Sequence, residues 1–200
     1  HPRSSAASDV YKRQVKIVLK MLPTEAATKQ LTYDYDLELT IIVGHTLYLN
    51  LKTTNLSCNP FTIGEGYHTY FYISDIENIR ITGLENAVYT DKFDNFNRNI
   101  EKNAITFDKA FDRVYSNTSN DCYIEDEKFN RVITIKKSNS NSTVIWTPGE
   151  KNAIDMGDMG DKDEWRRMVC VETANTLENS VVVYPQLSHS IATEYSVHDY

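Results

Sequence analysis

The sequence predicts an all-β protein built as an antiparallel β-sandwich. Three observations lead there. Apolar and polar residues alternate with a period of two along most of the chain. The alternating runs are rich in Tyr, Thr, Ile and Val, which suit a pleated, half-buried surface. They are short and separated by polar turns, and no segment keeps a 3.6-residue period for three turns.

In chain order, Ser4–Gln14 reads SSAASDVYKRQ, the peptide that one frame of a widely used transposase sequencing adapter encodes. His1–Gln14 is therefore read as an assembly scar outside the native fold. Native sequence is expected from about Val15, already inside a strand. Residues 15–200 would be the C-terminal part of a single domain, a sandwich incomplete at its N-terminus. Leu31, Tyr33, Tyr35, Leu37, Leu39 and Ile41 alternate with polar residues, and Leu47, Leu49 and Leu51 resume the pattern after Val43-Gly44-His45, which predicts a β-hairpin. Tyr67–Ile73, Asn78–Leu84 and Arg131–Lys137 are further strands. Ser138–Ser142 turns the chain back into Thr143–Pro148. Arg167–Thr173, Asn179–Pro185 and His189–Val197 complete the series.

The formal charge of −7 lacks the clustered Lys and Arg of a nucleic-acid footprint. No apolar run reaches the roughly 20 residues of a membrane-spanning helix. Cys58, Cys122 and Cys170 are too few and scattered for a disulfide scaffold or a zinc site. Asn55, Asn117 and Asn141 open N-x-[ST] triplets that an Asn- and Ser-rich chain produces by chance. Asp155–Glu164 (DMGDMGDKDE) fits no calcium-loop frame and reads as a solvated acidic loop. Gly64-Glu65-Gly66 is not followed by the spacing of a phosphate loop.

Two residues stand out chemically. In a regular strand His68 shares a face with Tyr70 and Tyr72, while Tyr67, Thr69 and Phe71 face the other way. Glu172 ends the apolar run Met168–Val171 and lies on the face of Met168 and Cys170. A carboxylate beside apolar side chains has its charged form disfavoured, which raises its basicity. From composition alone, His68 reads as a packing histidine and Glu172 as a solvated strand-end glutamate.

The order YHTYF, ISDI and GL…Y.DK (ending at Lys92), then FDRVYSN (Phe111–Asn117), VIWTPG (Val144–Gly149) and MVCVET resembles the aldose 1-epimerase superfamily. Within it, the pattern is similar to the glucose-6-phosphate 1-epimerase branch, the hexose-6-phosphate mutarotases. The resemblance covers roughly Leu31–Val197. It implies a galactose mutarotase-like supersandwich and an isomerase that interconverts the α and β anomers of a hexose 6-phosphate. It makes His68 the acid and Glu172 the base. It makes Asp112 a substrate anchor, with Arg113 and Trp146 as further substrate contacts. Asp158 would be structural. Many relatives read W-N-P where this chain has Trp146-Thr147-Pro148, so an amide contact there is missing. The family's phosphate-binding arginines lie in its N-terminal third, ahead of this region; Lys20 and Arg113 are no substitute signal. The fragment by itself is then expected to be inactive. The implied protein is a cytoplasmic monomer acting on a small sugar phosphate, without nucleic-acid or membrane partners. An aldose 1-epimerase on unphosphorylated sugars and a non-catalytic carbohydrate-binding domain remain alternatives. A two-carboxylate glycosidase would need a second acid facing Glu172.

The chemistry that the resemblance implies needs one acid and one base, with no metal and no cofactor, and it sets a geometric condition. The two oxygens that exchange protons share one carbon and lie a little over about 2 Å apart, and each catalytic group must come within about 3 Å of its oxygen. The tips of His68 and Glu172 should then lie within roughly 8 Å, in a concavity on one sheet face, near Asp112.

Overall fold

The computed structural model describes residues 14–22, 33–157, 159 and 163–200. His1–Arg13, Leu31, Asp158 and the centre of the acidic loop (160–162) lie outside the described residues.

Period-two alternation becomes two facing antiparallel sheets. The first runs in the order β1 (Val15–Lys20), β2 (Tyr35–Val43), β3 (Leu47–Asn55), β16 (Ser188–Asp199), β12 (Arg131–Ser138), β11 (Cys122–Asp126) and β7 (Ile79–Thr82). The second runs from β5 (Glu65–Tyr67) through β14 (Met168–Asn175), β13 (Ser142–Thr147), β10 (Phe111–Ser116) and β8 (Val88–Asp91) to β9 (Asn97–Ile100). Strand β6 (Tyr70–Tyr72) also pairs with β14, and β4 (Phe61–Ile63) pairs with β15 (Val181–Val183) as a separate ribbon. The core fills the gap between the sheets. Ile81, Ile124, Ile133, Ile135 and Tyr195 project from the first sheet, and Phe71, Phe111, Tyr115, Ile145, Val169 and Val171 from the second. Burying these side chains supplies the main drive for folding, at about 25 cal/mol per Å² of apolar surface.

The expected hairpin is β2–β3, with Val43 paired to Leu47 around Gly44-His45-Thr46. The Asn78–Leu84 run ends as a strand at Gly83, whose φ is +99° and where a Cβ would stand 2.1 Å from the carbonyl oxygen of Asp121. A side chain is excluded there on both counts. Strands β4, β8, β9, β10 and β11 carry no sequence expectation; β9 (NRNI) is polar and wholly exposed, so it lacks alternation. Among the described residues one short α-helix, α1 (Gly149–Met156), spans about two turns.

Strand β14 is fixed at both ends. Arg166, in the turn that leads into it, donates to Asp75 from Nη2 (2.8 Å) and Nε (3.0 Å) and to Glu77 from Nη1 (3.1 Å). Asp75 in turn caps the 3₁₀ turn Ile76–Asn78 by accepting from the Glu77 amide. At the far end the Asn175 amide donates to Glu65 (2.9 Å) and to the carbonyl of Asn139 (2.7 Å). Asn55 is buried and donates to two carbonyls, which gives that triplet an internal structural role. All three cysteines are free; Cys122 and Cys170 are buried and Cys58 is exposed. No described helix is long and apolar enough to cross a membrane.

Candidate active site

The cavity lies on the outer face of the second sheet, because even the most regular strand can bury only alternate residues against the first. In β10, Phe111 and Tyr115 turn inward to the core while Asp112 and Val114 turn outward. In β13, Ile145 turns inward while Val144 and Trp146 turn outward. In β14, Val169 and Val171 turn inward while Glu172 and Ala174 turn outward. Val114, Val144 and Ala174 pack into a small apolar floor. Around it His68, Lys92, Asp112, Trp146 and Glu172 line a cavity of about 490 Å³. That volume suits a small ligand.

His68 lies on the expected face, with Tyr70 and opposite Thr69 and Phe71, but outside a regular strand. The strand expected over Tyr67–Ile73 is interrupted at His68 and Thr69, where the Thr69 amide bonds back to the carbonyl of Tyr67 at 2.9 Å. The interruption keeps the register. Tyr67 pairs with Thr173 on one side and Tyr70 with Cys170 on the other, so His68 faces Glu172. Thr69 turns inward to the Tyr195 hydroxyl at 2.7 Å, and His68 turns outward. The imidazole stacks on Tyr70 at 4.8 Å between centroids and meets the edge of Trp146 at 5.7 Å. Its Nε2 lies 3.4 Å from Oε1 of Glu172, well inside the separation that the proton transfers demand.

Glu172 does not end its strand, as the apolar run suggested. It sits inside β14, which continues to Asn175 and has neighbours on both sides. Its side chain is 13% exposed, against 54% for His68. Burial pushes the carboxyl pKa above the ordinary glutamate value. Asp112 adds to that shift, while His68 and Lys92 oppose it. The shift runs toward neutrality, the range in which a general base is most effective.

Asp112 faces the same cavity and is held by Lys92, whose Nζ lies 3.0 Å from Oδ1 and 3.2 Å from Oδ2. The Lys92 amide also donates to the Asp112 carbonyl at 2.9 Å. Lys92 closes the Y.DK stretch of the sequence, but spacing alone gave it no role. Trp146 forms a wall of the cavity, between Asp112 and Cys170 in the register.

Arg113 is the exception among the expected site residues: the structure does not bring it to the cavity. One residue along β10 from Asp112, it points to the opposite face. There Nε donates to Asp91 (2.8 Å) and Nη1 to Glu101 (3.1 Å), and the guanidinium lies over the rings of Tyr89 and Phe111. Tyr115 donates to the same Glu101 oxygen at 2.9 Å. Burial works against the Arg113 charge, but the bond to Asp91 holds its pKa above the usual arginine value. Arg113 is committed to a structural ion network.

Glu65 is a further carboxylate at the cavity edge that spacing did not single out. It is held by His189 (2.7 Å) and Asn175 (2.9 Å). Gly66 beside it approaches β14 closely, since a Cβ there would meet the Ala174 methyl at 3.1 Å.

The aldose 1-epimerase family profile matches residues 7–196. A protein of Cenchrus ciliaris provisionally named glucose-6-phosphate 1-epimerase is 31% identical over 176 residues, covering 86% of this chain and 52% of its own length. A protein of Escherichia coli with the same provisional name is 32% identical over 176 residues, covering 88% of this chain and 58% of its own length. A crystal structure from Salmonella typhimurium, described provisionally as a mutarotase, superposes with a TM-score of 0.85 at 26% identity. That match covers 94% of this chain and 61% of the other. This chain thus spans between half and two thirds of the length of these relatives. With the profile covering nearly the whole sequence and the same β-sandwich in its structural neighbours, the chain belongs to the aldose 1-epimerase family.

Proposed function

We propose that this site interconverts the α and β anomers of a hexose 6-phosphate by opening and reclosing the sugar ring. The observation that carries the reading is the contact of His68 and Glu172, 3.4 Å apart at one side of the cavity. Glu172 removes the proton from the anomeric hydroxyl oxygen O1 while protonated His68 gives its Nε2 proton to the ring oxygen O5. The C1–O5 bond breaks and C1=O1 forms. After rotation about C1–C2, His68 takes the proton back from O5, O5 attacks the other face of C1, and Glu172 returns its proton to O1. Each side chain ends as it began. Asp112 and Lys92 offer an acceptor and a donor to the sugar hydroxyls, and the Trp146 ring offers an apolar wall.

The preference for a phosphorylated sugar is supported by the provisional names of the relatives. A second reading, turnover of the unphosphorylated aldose, is favoured by Lys92. Among the described residues lining the cavity it is the one Lys or Arg, and Asp112 already engages it.

The test is NMR exchange between the anomers of glucose 6-phosphate and of glucose, in a polypeptide of family length that carries this chain. His68→Asn and Glu172→Gln should each slow exchange by at least about 10² while the protein still folds and melts cooperatively. A Glu172→Gln protein with near-normal exchange removes Glu172 from the mechanism. Faster exchange of glucose than of its 6-phosphate selects the second reading.

A further inference from the structure

Cys170 is a buried thiol that the proton transfers do not use. In the register it lies between Tyr70 of β6 and Trp146 of β13, on the same face as Glu172. The imidazole nitrogen of His68, the Sγ of Cys170 and a carboxylate oxygen of Glu172 all lie within 4.8 Å of one another. We propose that these three side chains form a binding site for a zinc-type divalent cation, in which the metal takes the lone pairs of the acid/base pair and so holds the site inactive. The inhibitory consequence rests on the proposed epimerase function; the metal site does not.

The donor chemistry is specific. Imidazole nitrogen, thiolate sulfur and carboxylate oxygen are the three ligand types of zinc, whereas magnesium and calcium take oxygen donors. Bonds of about 2.0–2.3 Å around a tetrahedral zinc place ligand atoms roughly 3.3–3.8 Å apart. The 3.4 Å between His68 and Glu172 already has that spacing. The sulfur needs to close by about 1.3 Å at most, a shift within the range of side-chain torsions. His68 and Glu172 border the cavity, whereas Cys170, two residues before Glu172 on β14, is fully buried and does not line it. The fourth coordination position therefore opens toward the cavity, as in zinc sites that keep an exchangeable ligand. Binding replaces the thiol proton with a metal–sulfur bond and releases that proton to solvent. Cysteine spacing gave no sign of this site, because its donors come from segments about a hundred residues apart.

The chain, stripped of metal with a chelator, is titrated with cobalt(II) as a spectroscopic probe and with zinc by calorimetry. We expect one equivalent of cobalt with the near-ultraviolet thiolate-to-cobalt band and the intense visible bands of a four-coordinate ion, displaced by zinc. Cys170→Ser should remove the near-ultraviolet band and weaken zinc binding at least about tenfold. His68→Asn, at a half-exposed side chain with little risk to folding, should weaken binding as well. Cys58→Ser should change nothing. Failure to bind zinc at micromolar concentration, cobalt binding without a thiolate band, or unchanged zinc affinity in Cys170→Ser overturns the proposal. In the family-length polypeptide, zinc should suppress anomer exchange, chelator should restore it, and Cys170→Ser should exchange normally and resist zinc. If no protein shows exchange, the epimerase reading fails while the binding measurements still decide the metal site. Exchange that zinc leaves untouched ends the inhibitory role alone.

Discussion

Replacing Arg113 by Ala should unfold the chain at a markedly lower temperature without removing a cavity group. The guanidinium neutralises Asp91 and Glu101, whose side chains are 16% and 13% exposed, and is itself 22% exposed. Removing it strands two mostly buried carboxylates. Breaking a buried pair from one side costs about 3–5 kcal/mol. The contacts with Tyr89 and Phe111, at 4.2 and 4.3 Å, add about 0.5–1 kcal/mol each, and partial solvent access offsets some of this. The net loss is about 3–4 kcal/mol. At about 2–4 °C per kcal/mol for a domain of this size, the midpoint should fall by roughly 10 °C. Arg113→Lys keeps the charge but not the planar fork that reaches both acids, and should fall by roughly half as much. Thermal unfolding followed by circular dichroism measures both. A midpoint within about 2 °C of the parent, together with weakened sugar-phosphate binding, would show that Arg113 serves the cavity after all.

The titration of Glu172, followed by carbon NMR of its carboxyl group, should move in opposite directions in two variants. Lys92→Met removes a nearby positive charge and should raise the pKa further, and Asp112→Asn removes a negative one and should lower it. Equal or reversed shifts would contradict the placement of these groups around Glu172. Glu172→Gln should also stabilise the fold at neutral pH by about 1 kcal/mol, a common result where a functional site tolerates strain. The sign follows from burial. The folded protein holds the Glu172 proton more tightly than the unfolded chain, so this group's contribution to stability falls as pH rises from the ordinary glutamate value through the raised one. Urea melts of parent and variant should therefore converge below that window and separate above it. A constant difference at all pH values would rule the linkage out.

Much of the architecture was legible because alternation is a local property. The β2–β3 hairpin, β12, β13, β14 and β16 all stand close to their expected ranges. What escaped was non-local or featureless. Strand β9 has no apolar face, and β8 and β11 are short. The break at His68–Thr69 leaves the alternation intact, so no pattern could reveal it. His68, Asp112, Trp146 and Glu172 were found through a resemblance and assembled by the fold into one cavity. Arg113 was misplaced because Phe111–Ser116 carried no strand expectation, so the motif was read as a block rather than face by face. Lys92 lacked a signal, since an ion pair across neighbouring strands is defined only once their register is known.

The register of the second sheet has a genetic consequence. His68, Asp112, Val114, Val144, Trp146 and Glu172 are all even-numbered, and the core residues Phe111, Tyr115, Ile145, Val169 and Val171 are all odd. Paired residues across β10, β13, β14 and β6 always share parity, so no bulge interrupts the frame. Numbering therefore acts as an address for the two faces. Libraries confined to even positions would explore the cavity and leave the inter-sheet packing as it is. Insertion or loss of a single codon within any of these strands would exchange the two sets, turning Val171 into the cavity and Glu172 into the core. Length changes are accommodated more readily in the connecting loops, so within these strands the cavity is best varied by substitution.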